Sequence, residues 1–123
     1  MKKIATPTSN AQNFLRLTHK SQIPTDEIVY LESEVNYTNV YTSDNRKYLS
    51  SFTLKKLESR IAESDFVRIN RGCLVNPKHI IQITGIKRNA QARLSNGSEL
   101  IISRRKFDII KNIFDRDMLS LDI

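Results

Sequence analysis

Phe66-Val67-Arg68-Ile69-Asn70-Arg71-Gly72-Cys73-Leu74-Val75-Asn76 decides how the rest of this chain is read. Phe66–Ile69 and Cys73–Val75 are short runs rich in β-forming residues, and Asn70, Arg71 and Gly72 interrupt them. Long cationic and amide side chains therefore sit directly against apolar strands, which would hold them up for a partner. Some thirty residues on, Ser103-Arg104-Arg105-Lys106 repeats the arrangement after the apolar Leu100-Ile101-Ile102. The simplest partner for such cations is nucleic acid.

On either side of this stretch the chain offers further strands. Phe14-Leu15-Arg16-Leu17 reads as a short strand, Lys20–Thr25 as a connector, and Ile28-Val29-Tyr30-Leu31 as a strand buried on both faces. Thr38–Ser43 and Arg46–Ser50 flank Asp44-Asn45, whose side chains tolerate positive φ and so predict a hairpin. Ile80–Ile86 is apolar, and Ala90–Leu94 and Glu99–Ile102 flank Ser95-Asn96-Gly97-Ser98, a strong hairpin signal. Leu54, Leu57 and Ile61 share one face of a short helix starting near Thr53. Phe107, Ile110 and Phe114 repeat that spacing in a last helix capped by Ser103. Eight or nine β segments, two helices and no βαβ repeat predict a mainly β fold of layered antiparallel sheets.

Composition sets the class. With 123 residues, 39% hydrophobic content, three Gly and three Pro, the chain suits one compact domain with a real core. Its boundaries are expected at 13–118, with residues 1–12 a flexible polar arm and 119–123 a tail. The formal charge is +7 and the isoelectric point about 9.8. From Arg46 to Lys111 there are fifteen Lys and Arg against five acids, so the positive charge is concentrated there. Cys73 is the only cysteine, which excludes an internal disulfide and suggests a reducing compartment. Its apolar neighbours favour a buried structural thiol over a redox-sensitive one beside Arg71. Polar residues follow Met1-Lys2-Lys3-Ile4 where a signal peptide needs about 7–15 apolar ones, and no run approaches the roughly 18 of a membrane span. A cytoplasmic location is the expectation.

Arg104, Arg105 and Lys106 are expected in the first turn of the last helix, where the macrodipole favours acids by roughly 0.3–1 kcal/mol each. An anion docked there would turn a local penalty into a phosphate site; alternatively, the aliphatic stems cover the sheet and the heads stay solvated. Lys55 and Lys56 repeat the pattern weakly and read as solvated. Asn36-Tyr37-Thr38-Asn39 is either a turn or an exposed loop able to reach base edges.

Taken together, Glu32-x-x-x-Asn36-Tyr37, Leu54-x-x-Leu57-Glu58, Phe66-Val67-Arg68, Arg71-x-x-Leu74-Val75-Asn76, Leu94-x-Asn96-Gly97 and Ser103-Arg104-Arg105 resemble a LytTR-type DNA-binding domain, the output module of a class of bacterial transcriptional regulators. The resemblance runs from about Phe14 to Phe114. It implies an elongated stack of antiparallel sheets that reads promoter repeats with loops in successive major grooves, and double-stranded DNA bound as a homodimer. Position by position, it puts the contacts at Asn36, Tyr37 and Thr38, at Asn70 and Arg71, and at Arg104 and Arg105. Arg71 and Arg105 are expected at base edges, where Arg pairs with guanine, with Tyr37 and Asn70 beside them. Arg104, Lys106 and Arg68 are expected on phosphates, Arg68 having pairing with an acid such as Glu32 as its alternative. Asn76, before Pro77, reads as a structural turn. The family commonly has His-Arg-Ser where this chain has Asn70-Arg71-Gly72, and relatives imply a signalling or membrane partner. The sequence before Asp26 is too short for a phosphoacceptor domain, so the chain is either a stand-alone regulator or a piece of a longer one.

Two other classes compete. An RNA-binding or ribosome-associated basic β protein would use the same charge, but only four Tyr and five Phe are present, most Phe at apolar-periodic positions suited to the core, and they supply few stacking surfaces. An enzyme would need a site, and His19, His79 and Cys73 have no metal-ligand spacing. Asp26-Glu27 and Glu32-x-Glu34 read as edge charges that discourage sheet-to-sheet pairing. No cofactor, metal or small-molecule substrate is expected.

Overall fold

The computed structural model describes residues 13–61 and 65–121. Among these, ten strands and two helices follow in order: β1 Phe14–Arg16, β2 Gln22–Pro24, β3 Ile28–Ser33, β4 Thr38–Thr42, β5 Lys47–Ser50, α1 Leu54–Glu58, β6 Val67–Asn70, β7 Cys73–Val75, β8 Ile80–Thr84, β9 Gln91–Leu94, β10 Glu99–Ile101 and α2 Phe107–Leu121. The expected 1–12 arm lies outside the described residues. The last helix continues to Leu121, past the expected domain edge at Met118.

Every strand pair described is antiparallel. A central sheet has the order β5-β4-β3-β7-β6, a second sheet β10-β9-β8, and β1 pairs only with β2. The tenth strand is β2, in the segment read as a connector. Gln22-Ile23-Pro24 has one apolar residue and a proline, so it carries no strand signal of its own; pairing of Ile23 with Leu15 makes it one.

The central sheet is buried on both faces, which explains why β3 and β7 are apolar without alternating with polar residues. One core holds Val29, Tyr30, Ile69, Cys73, Val75, Leu94, Leu100 and Ile110, between the central sheet, the second sheet and α2. The other holds Leu15, Leu17, Ile28, Leu31, Val40, Leu54, Leu57, Ile61 and Leu74, beneath the β1–β2 hairpin and α1. Along β7, Cys73 and Val75 join the first core and Leu74 the second, as strand periodicity requires. In β3, Val29 and Tyr30 both join the first, which the register shift between Ile28 and Tyr30 accommodates.

Turn chemistry follows the sequence. Asn45 has φ 66° in the β4–β5 turn and Gly97 has φ 92° between β9 and β10, where the Asn96 side-chain oxygen accepts the Ser98 N–H (3.1 Å). Asn76 is buried; its Oδ1 accepts the Lys78 N–H and its Nδ2 donates to the Ile28 carbonyl, both at 3.1 Å. At α1, Thr53 Oγ1 accepts the Lys56 N–H at 3.2 Å, and Ile61 joins the core from beyond the helix end.

The start of α2 differs from expectation. Arg104–Lys106 form a separate 3-10 turn closed by the Lys106 N–H on the Ser103 carbonyl (3.0 Å), and the Ser103 side chain caps nothing. The helix proper begins at Phe107, with Asp108 in its first turn as the macrodipole favours. The three cations thus form a 3-10 first turn that runs directly into the α-helix, where the positive end of the helix still faces them.

Candidate nucleic-acid interface

Four hydrogen bonds bring three connections to one end of the molecule. At the base of the β3–β4 loop, Ser33 N–H donates to the Gly72 carbonyl at 2.9 Å. Within the β6–β7 turn, Gly72 N–H donates to Asn70 Oδ1 at 2.9 Å, and the same amide's Nδ2 donates to the Ile101 carbonyl at 2.7 Å. Ser103 N–H then donates to the Ile69 carbonyl at 3.0 Å, fixing the β10–α2 connection against β6. Both ends of the Asn70 amide are spent on backbone, which gives that side chain a bracing role.

Arg68, Asn70, Arg71, Ser103, Arg105 and Lys106 line a surface depression of about 330 Å³ between two of these connections. Four of its six lining side chains are cationic and none is acidic. Arg71, Arg104 and Arg105 are exposed and make no ion pair with any described acid. Cations in water, converging on one surface without counter-charge, raise the local potential for an anion.

Arg68 pairs with an acid, as its alternative reading allowed, but with a different one from the example Glu32. It is half-buried; Nη2 lies 3.3 Å from Glu58 on α1, and Nη1 donates to the Arg71 carbonyl at 2.8 Å. Its partner is thus Glu58, not Glu32, because strand alternation turns Arg68 away from the core that takes Val67 and Ile69. The Nε atom is buried without a partner. One guanidinium both answers an acid and holds the Arg71 backbone.

In the β3–β4 loop, Asn36 and Tyr37 are exposed, and Glu34 N–H donates to the Tyr37 carbonyl at 2.8 Å. Thr38, expected among the contacting side chains, is 0% exposed and its hydroxyl donates to the Phe52 carbonyl at 2.8 Å. Burial removes it from the presented surface and makes it the loop's anchor. Asn39 is also buried, its amide reaching Glu34 at 3.4 Å.

Behind the loops, Glu32 accepts from the Tyr41 hydroxyl at 3.3 Å, and the Tyr41 and Tyr30 rings stack at 4.5 Å. Burial, then Tyr30 and Glu32, push the Tyr41 phenol up to about 12. Cys73 is buried, and burial followed by the Glu32 charge pushes its thiol up to about 11. A thiol so raised stays protonated at neutral pH, consistent with a structural role.

The remaining candidates are dispersed. His79 bonds Ser95 Oγ at 2.7 Å, whereas His19 meets the edge of Phe52. Asp26 and Glu27 belong to a 3-10 turn ahead of β3. Among the described residues, no three His, Cys, Asp or Glu side chains gather as a metal site would need. Lys55 and Lys56 are exposed, Lys56 lying over the Phe52 ring at 4.6 Å. The exposed aromatics among the described residues, Phe14, Tyr37 and Tyr48, are on β1, the β3–β4 loop and β5. No described helix is long and apolar enough to cross a membrane. Sequence reasoning missed Glu58 as the partner of Arg68 and the carbonyls of Gly72 and Ile101 as acceptors; contacts between elements so distant in sequence leave no local signal.

A family model for the LytTr DNA-binding domain matches residues 18–115. The chain is 31% identical over 83 residues to the sensory transduction protein LytT of Bacillus subtilis (strain 168), an overlap covering 67% of this chain and 34% of that protein. The chain thus spans about a third of that relative's length. A solved LytTr DNA-binding domain from Bacillus cereus superposes with a TM-score of 0.65 at 21% identity, covering 83% of this chain and 94% of that one. The family match over most of the chain's length, with a solved domain of the same fold beside it, settles the assignment: this chain belongs to the LytTR family of DNA-binding domains.

Proposed function

We propose that this domain serves a transcriptional regulator by reading promoter repeats through its loops in the major groove, with two copies on paired sites. The observation that carries this reading is the 330 Å³ depression with four cationic lining residues and no acid, beside a second exposed loop carrying Asn36 and Tyr37. Arg71 and Arg105 reach base edges, and Arg104 and Lys106 hold phosphates and set the register. Tyr37 and Asn36 contribute from the neighbouring loop. Asn70 and Arg68 act by fixing the backbone that presents Arg71, and Arg68 adds positive potential. The relative's description as a sensory transduction protein supports a signalling partner acting through other parts of a longer regulator.

The test is selection from genomic fragments at about 150 mM salt, followed by affinity measurement on the enriched duplex, on scrambled duplex and on single-stranded RNA of the same sequence. The expected result is a repeated motif, its copies about one helical turn (~10 bp) apart, bound far more tightly than scrambled DNA or RNA. Equal affinity for all three would reduce the interaction to charge.

A further inference from the structure

Val35 is 91% exposed, the most exposed large apolar side chain among the described residues. It sits with Asn36 at the apex of the β3–β4 loop, between Glu34 and Tyr37, whose backbones are tied at 2.8 Å. An isolated exposed apolar residue is ordinary on a protein surface. This one occupies a loop apex, where Gly, Asn, Asp and Ser serve the backbone better than a β-branched residue does. The loop's base is held by the Ser33–Gly72 bond and by the Thr38 hydroxyl on Phe52, so the apex is presented beside the turn that carries Arg71. Valine gains nothing there from the fold itself.

We infer that Val35 is a specificity-determining residue, which contacts the 5-methyl group of a thymine in the major groove. The inference rests on the proposed reading and goes beyond it. Thymine is the one DNA base whose groove edge carries a methyl group, and an apolar side chain recognises it by excluding water from both surfaces. Asn36 adds the complementary half, because an amide pairs with adenine N6 and N7. A valine and an asparagine side by side thus match an A·T pair, while Arg71 on the adjoining turn suits guanine.

The experiment uses the duplex enriched by the wild-type chain, with each thymine in turn replaced by deoxyuridine, which removes the methyl and nothing else. Wild-type affinity should fall about three- to fivefold at one thymine or two adjacent ones, the cost of one lost methyl contact. In Val35→Ser, whose thermal unfolding should match wild type because the position is exposed, the same replacement should have no effect. Specific binding with deoxyuridine tolerated at every position, or an equal loss in Val35→Ser, overturns the assignment and leaves the general reading intact. An enriched site without thymine in the contacted span does the same. No preference for the enriched duplex over scrambled DNA overturns both.

Discussion

Arg71 shows how a side chain becomes available for recognition: its charge is unpaired among the described residues while its carbonyl is held by Arg68 at 2.8 Å. Arg71→Ala and Arg105→Ala should each cost about 1–3 kcal/mol on the preferred duplex and relax selectivity at one position, measured by titration against single-base variants of the site. Equal losses on scrambled DNA would make either residue a phosphate clamp. Thr38→Val should behave oppositely. It leaves the Phe52 carbonyl without its donor and should cost roughly 1–3 kcal/mol of stability in urea, with little change in the affinity of the folded protein. Cys73 gives a pH signature. Its thiol is pushed up to about 11 in the fold, so the neutral form is favoured there and the unfolded chain ionises first. That contribution to stability is complete below about pH 9 and is lost as pH rises toward 11; Cys73→Ala should flatten this part of the stability profile. At this scale, the exposure of Arg71 and Arg105 could be anticipated from their place against the strand pattern. The burial of Thr38 and the Arg68–Glu58 pair could not, since each depends on elements that only the folded chain brings together.

Among the elements, the turns are the most legible and the short strands the least. No Asn-Gly pair marks the β8–β9 connection, yet Gly85 there has φ 79° and an added Cβ would lie 2.5 Å from the Asn89 carbonyl oxygen. Gly97 has φ 92° with nothing within 4 Å of an added Cβ. Gly97→Ala should therefore cost only the left-handed backbone, about 1 kcal/mol, while Gly85→Ala should cost a further ~1–3 kcal/mol for the collision. Thermal unfolding of the two variants tests the ranking. The Asn-Gly pair and the alternating runs beside it carry hairpin information locally, so β9 and β10 could be read directly. β2 could not, because its strand character comes from Leu15 opposite Ile23. The start of α2 is only partly legible: Ser103 sits at the N-cap with its carbonyl accepting from Lys106 N–H, but its side chain makes no capping bond, and its N–H is tied to Ile69, a contact between distant segments.

For the molecule as a whole, the charge of +7 is useful because of where it gathers. Association should weaken steeply with salt, and Lys106→Ala should reduce the slope of log affinity against log salt by about one unit on specific and scrambled DNA alike. An unchanged slope would remove Lys106 from the phosphate contacts. The layered antiparallel plan was legible because strands and turns alternate without a βαβ repeat; the division into two cores was not, since it depends on which faces the hairpin, α1 and α2 cover. The four bonds linking Ser33, Gly72, Asn70, Ile101, Ile69 and Ser103 have a further consequence. Because they join mainly backbone and one amide, the folding of this end does not depend on the side chains at positions 35, 36, 71, 104 and 105. Under the proposed reading, drift at 35, 36, 71 and 105 would change the preferred operator at little cost to stability, and a library randomised at those four positions should yield mostly folded proteins with different DNA targets.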